Sequence, residues 1–164
     1  MPRACTAFFL LLAQGCGYEL SVGQGRLPDG SRRLLIPVAS NQTTDAWTAA
    51  YLTERLRVES DRLGLEERAG GAELRARILD VRAVPRAVAM MGGRTQTREQ
   101  EVVVAVRLSL RLLDGRKLSD TLVGRESYLS TAELRGTDSN RQMALRLCLD
   151  RLAAEALNRI GRGF

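Results

Sequence analysis

Between Glu101 and Leu112 the chain reads EVVVAVRLSLRL. Val102, Val104, Val106, Leu108, Leu110 and Leu112 fill every even position, while Glu101, Arg107, Ser109 and Arg111 stand on the odd side. Successive side chains of a strand point to opposite faces. The stretch is therefore a long antiparallel strand with one face on a core and one mostly solvated. Asp114-Gly115 follows as a tight-turn signal. Lys117 to Leu129 reads as the returning strand, with Leu118, Leu122 and Val123 expected in the core.

Upstream, a strand begins near Glu73. Leu74, Ala76 and Ile78 alternate with Arg75, Arg77 and Leu79, then the pattern changes phase and continues at Val81 and Ala83. A one-residue phase change predicts a β-bulge, which bends a strand and tightens its twist; Pro85 points the same way. Met90 to Thr95, with Gly92-Gly93, is expected to form the hairpin tip. An exposed Met90-Met91 pair there would offer adaptable apolar surface.

The first strand is expected over Arg33 to Ala39. Pro37 has no N–H to give a ladder, so this strand belongs at an edge or carries a local break. Asn41 to Asp45 offers several N-cap candidates. A helix is then predicted from about Ala46 to Leu63, with Ala49, Leu52, Leu56 and Leu63 as its apolar stripe and Gly64 as its left-handed stop. Glu66 to Gly71 and Glu133 to Thr137 read as polar connections. Asp138 or Ser139 would cap a last helix to about Arg159, with Leu145, Leu149, Leu152, Ala156 and Ile160 facing a core. The order β-α-β-β-β-α predicts an α+β two-layer sandwich, two helices on one face of a four-stranded sheet. The other face carries Arg107, Ser109 and Arg111 and is left for solvent or a partner.

The N-terminus sets topology. Arg3 precedes an apolar run from Ala4 to Ala13. Such a run fits a secretory h-region and is far shorter than the roughly twenty residues that span a bilayer. Ala13-Gln14-Gly15-Cys16 resembles a bacterial lipobox, with Ala13 where leucine is usual. On this reading 1–15 is a lipoprotein signal peptide. Cys16 becomes the first mature residue and carries acyl chains such as palmitate. Residues 16–31 form a tether and 32–164 the folded domain, a size that supports one core.

Composition narrows the chemistry. The formal net charge is +6, and Lys117 is the only lysine among 25 basic residues. Arginine's planar fork suits phosphate and carboxylate. A leader for export argues against nucleic acid as the partner. The chain has no histidine, which removes Ser-His and Cys-His catalysis and imidazole metal sites. No GxSxG, SxxK or Walker loop occurs. Asp80, Glu99 and Glu126 are the carboxylates a hydrolase would need, and they lie far apart in sequence. Cys148, within an apolar helical pattern, reads as a small buried hydrophobe. The expectation is a non-enzyme with no catalytic residue, no metal site and no cofactor.

Gly15-Cys16-Gly17-Tyr18, Ile36-Pro37-Val38 with Asn41 and Thr43, Leu52-Thr53-Glu54, the valine-rich strand and Asp138-Ser139-Asn140-Arg141 occur in an order and spacing that resembles the LPS-assembly lipoprotein LptE family. The resemblance covers nearly the whole chain. It implies a four-stranded mixed sheet with two helices on one side, and lipid anchoring on the periplasmic side of the outer membrane. It also implies binding to the β-barrel LptD as a plug that supports barrel assembly, and delivery of lipopolysaccharide to the outer leaflet. Family basic positions map near the β-hairpin and before the last helix, to Arg94, Arg98, Arg135 and Arg141, as candidate lipopolysaccharide contacts. An alternative role is that of another small outer-membrane lipoprotein, an activator or adaptor in a cell-envelope complex.

Overall fold

A computed structural model describes residues 25–91, 94–131 and 133–162, with the backbone alone for 87–91 and 94–98. Its elements are β1 (Arg33–Leu35), β2 (Ser40–Asn41), α1 (Trp47–Arg62), β3 (Glu66–Glu67), β4 (Ala72–Met91), β5 (Arg94–Arg111), β6 (Lys117–Leu129) and α2 (Leu134–Arg162). The strand order is β3-β1-β4-β5-β6, with β2 also paired to β4. β1 runs parallel to β3 and β4, and β2 parallel to β4, whereas β4, β5 and β6 form an antiparallel meander. The result is an α+β two-layer sandwich built on a mixed sheet.

The even positions of β5 from Val102 to Leu110, with Leu112 just after it, are at most 3 % exposed. They meet Leu74, Ala76 and Ile78 of β4, Leu122 of β6, and the apolar stripes of both helices in one core. Leu52 and Leu56 come from α1; Leu145, Cys148, Leu149, Leu152, Ala156 and Ile160 come from α2 at helical spacing.

The bulge falls where the sequence changes phase. Ile78 pairs with Val106 and Asp80 with Ala105, leaving Leu79 as the extra residue. Val81 is thereby brought to the core side opposite Val104. A second irregularity sits between Pro85 and Ala87. Beyond the last β5–β6 pair, Glu99 with Leu129, the β4–β5 hairpin continues as a two-stranded ribbon to the pair Met91–Arg94.

The sheet has more strands than the pattern predicts. Pro37 breaks the first strand, so β1 and β2 lie along the same edge of β4 in two short pieces. β3 replaces part of the expected turn after Gly64: the Glu66 N–H donates to the Arg32 carbonyl at 2.7 Å. Two residues are too few to show periodicity. Gly64 does take a left-handed φ of 72° at the end of α1.

Both helix starts differ from expectation. α1 has Ala46 as its N-cap with no side-chain cap, because the Asp45 carboxylate is turned to Arg141. α2 begins at Leu134, about one turn before Asp138. The Thr131 hydroxyl donates to the Glu133 carbonyl, and the Thr137 hydroxyl accepts the Thr131 N–H. Gly136 admits that packing, since a Cβ there would lie 2.6 Å from the Thr131 hydroxyl. Val123 is a further correction. It pairs with Ala105 on the outer face and is 52 % exposed, since strand alternation allows only one of Leu122 and Val123 inside.

Gly124 fixes the distance between the layers. It stands opposite Val104 on the core face, and a Cβ added there would lie 2.6 Å from Cys148 Sγ and 2.8 Å from Leu152 Cγ. The backbone of β6 is thus the floor on which α2 rests. Gly124→Val should cost about 1–3 kcal/mol through overpacking, read as a lower Tm by circular dichroism. Combining it with Cys148→Ala should recover part of that loss. Strict additivity of the two changes would refute the contact.

Candidate functional site

The face of the sheet away from the helices is charged. Arg75, Arg77 and Arg82 of β4, Arg107 and Arg111 of β5, and Lys117 and Arg125 of β6 project from it, with Glu73, Asp80 and Glu101 between them. Both sets follow from the odd-position rule of β5 carried across the ladders. Cross-strand partners are Glu73 with Arg111, Arg75 with Ser109, and Arg77 with Arg107. On the other side, Lys117 meets Arg111, Ser119 meets Ser109, and Thr121 meets Arg107.

Three carboxylates of this face, Glu73, Asp80 and Glu101, lie against arginine. Glu73 accepts from Arg75 Nε at 2.8 Å and Arg111 Nη2 at 2.6 Å. Glu101 accepts from Arg125 Nη1 at 3.0 Å and lies 3.5 Å from Arg86 Nη1. Asp80 lies 3.6 Å from Arg82 Nε. The expectation that the odd side of β5 is solvated fails at Glu101 and Val103, which are 6 % and 2 % exposed. Arg82 and Arg125 flank Val103 as its cross-strand partners, and the guanidinium groups of Arg86 and Arg125 stand against Glu101.

Between the clamps lies a row without an acid. Among the described residues, neither Arg77 nor Arg107 has a carboxylate within ion-pair distance. Arg77 Nε donates instead to Ser40 Oγ at 3.2 Å. Both arginines line a groove with Pro37, Val38, Ser40, Arg75 and Ser109, where the broken edge strand rises beside β4. A neighbouring groove runs along Arg111, Lys117 and Ser119.

The residues singled out from sequence fall elsewhere. Cys16 lies outside the described residues, as do the side chains of Met90, Met91, Arg94 and Arg98. The backbone puts Arg94 at the far end of the β4–β5 ribbon and Arg98 near its base. Arg135 is exposed in the first turn of α2, at the same end of the sheet. Arg141 is also there, but its fork is already taken: Nη1 and Nη2 donate to the two carboxylate oxygens of Asp45 at 2.9 and 2.8 Å. That hydrogen bond raises the Arg141 pKa and ties α2 to the start of α1.

Asp80 and Glu126 occupy opposite faces of the sheet, each already bonded to an arginine, Arg82 and Arg151. They form no acid–base pair. The Cys148 thiol is 1 % exposed, and burial pushes its pKa up to about 11, far from a reactive thiolate. The Arg77–Arg107 row is the feature that strand patterns alone did not single out. Both residues sit at odd, outward positions, but only the register places them side by side.

Glu73 supplies a pH test of the open face. Hydrogen bonding to Arg75, with help from Arg111, holds its carboxyl below the ordinary value of 4.5. A carboxyl depressed in the folded state adds stability that is complete above the unfolded value and lost as pH falls through the folded one. Glu73→Gln should therefore lower Tm at pH 7, and the gap to wild type should close as the pH is taken well below 4.5. A gap that stays constant across that range would remove the charge from the explanation.

No protein-family model and no curated protein sequence matches the chain. Solved structures do match its fold. A candidate lipoprotein from Caulobacter crescentus superposes with a TM-score of 0.56 at 12% identity, covering 79% of this chain and 88% of that one. A protein from Xanthomonas campestris gives 0.55 at 11% identity over 80% and 86% of the two chains. A minor lipoprotein from Acinetobacter baumannii gives 0.52 at 19% identity over 80% and 90%. The chain thus shares the fold of bacterial lipoproteins.

Proposed function

We propose that this chain is a lipid-anchored envelope protein, held through Cys16 on the periplasmic side of the outer membrane. There it binds and plugs an LptD-like β-barrel, supports its assembly and helps deliver lipopolysaccharide to the outer leaflet. The role is one of binding and support, without catalysis.

The observation that carries this reading is the unequal treatment of the two sheet faces. One is sealed by α1 and α2; the other is left uncovered, cationic and flanked by a projecting ribbon. A basic surface of this kind suits an anionic glycolipid or an acidic barrel wall. The lipobox-like leader and the fold shared with lipoproteins favour the same compartment. The end of the sheet where Arg135 is exposed adds apolar surface from Leu129, Leu134 and Met143, a mixture fit for a protein partner.

Pull-down of the tagged chain from detergent-solubilised outer membrane tests this. The wild type should bring down a large outer-membrane barrel, and Cys16→Ala should move the chain from the membrane to the soluble fraction. A wild-type chain recovered with a cell-wall synthase and without a barrel would replace this reading with the adaptor role.

A further inference from the structure

From the Arg77–Arg107 row we infer a binding site for a phosphate group on the open sheet face, recognised by two facing guanidinium groups. The two residues are direct cross-strand partners, which puts their Cβ atoms about 5 Å apart. Like charges in that position destabilise a sheet. Elsewhere on this face Glu73, Asp80 or Glu101 stands beside the arginines, and the other facing pair of cations, Arg111 with Lys117, has Glu73 against Arg111. Here, among the described residues, no carboxylate lies within ion-pair distance.

The surroundings favour a dianion. Two fixed positive charges are balanced by one doubly charged phosphate, whereas a carboxylate leaves one over. Arginine forks match phosphate oxygens bidentately. Hydroxyls stand ready beside them: Ser40, already bonded to Arg77, Ser109 in the same groove, and Thr121 opposite Arg107. The broken edge strand at Pro37 and Val38 gives the site a wall. The same chemistry would take a free phosphate or the phosphate of a lipid headgroup. The site belongs to this chain alone and stands apart from the identity of any barrel.

The test uses the purified full chain at constant ionic strength, in neutral detergent for unfolding and diluted below the critical micelle concentration for the vesicles. Thermal unfolding is followed with inorganic phosphate or acetate. Co-sedimentation is measured with vesicles of phosphatidylcholine alone or with added phosphatidic acid. Wild type should be stabilised by phosphate more than by acetate, or should prefer the phosphatidic acid vesicles; the first result marks a soluble ligand, the second a headgroup. Arg107→Gln should weaken whichever response is seen by about tenfold, as one charge-assisted fork is lost. It should also raise the Tm of the ligand-free protein, because the repulsion is gone. Arg68→Gln, exposed in the turn after β3, removes the same charge elsewhere and should change neither. Equal losses in the two variants, or an acetate response matching phosphate together with no preference for the phosphatidic acid vesicles, would overturn the site.

Discussion

The aliphatic seam of β5 is the constraint on which the rest of the structure depends. Six side chains at alternate positions must leave water together, and each contributes about 1.5–3 kcal/mol when buried. They can do so only if neighbouring strands present the same face and a second layer covers it. β4 supplies the neighbour on one side only by inserting Leu79, which returns Val81 to the inward side after Asp80. β6 supplies the other and gives up a side chain at Gly124 so that α2 can reach the sheet. Bulge, glycine and helix spacing are three answers to one burial problem.

Covering one face with both helices leaves the other without a layer. A sheet face open to water is mostly polar, and this one draws its positive charge mainly from arginine, with serines, a threonine and carboxylates between. The guanidinium groups of Arg86 and Arg125 both stand against buried Glu101 and hold its charge. A buried carboxylate is tolerable only when paired, so the clamps and the open face require each other. Against that pattern the acid-free row stands out as a cost the fold itself does not need.

Much of this was legible in the sequence, for reasons tied to period. Alternation over twelve residues identified β5, the phase change identified the bulge, and Pro37 announced the broken edge. What short-range patterns miss is set at long range. Asp45 looks like a helix cap but serves Arg141, 96 residues away, so α1 starts without it. Gly136-Thr137 looks like a loop but is the first turn of α2, because Thr131 bonds across it. Leu122-Val123 offers two apolar residues to one inward position, and only register chooses between them. Register likewise decides that Arg77 faces Arg107.

The free edge of the sheet bears on how a partner is met. β6 ends the strand order, so its outer ladder is open to pairing. Its inward positions Asp120 and Glu126 carry charge and are tied to Arg159 and Arg151 of α2. Inward-pointing charges on an edge strand oppose the addition of another strand, since the incoming chain would have to bury them. The edge is thereby discouraged from pairing while the broad face beside it stays open. A partner of the kind proposed above would therefore be met by side chains of that face and not by strand addition along β6.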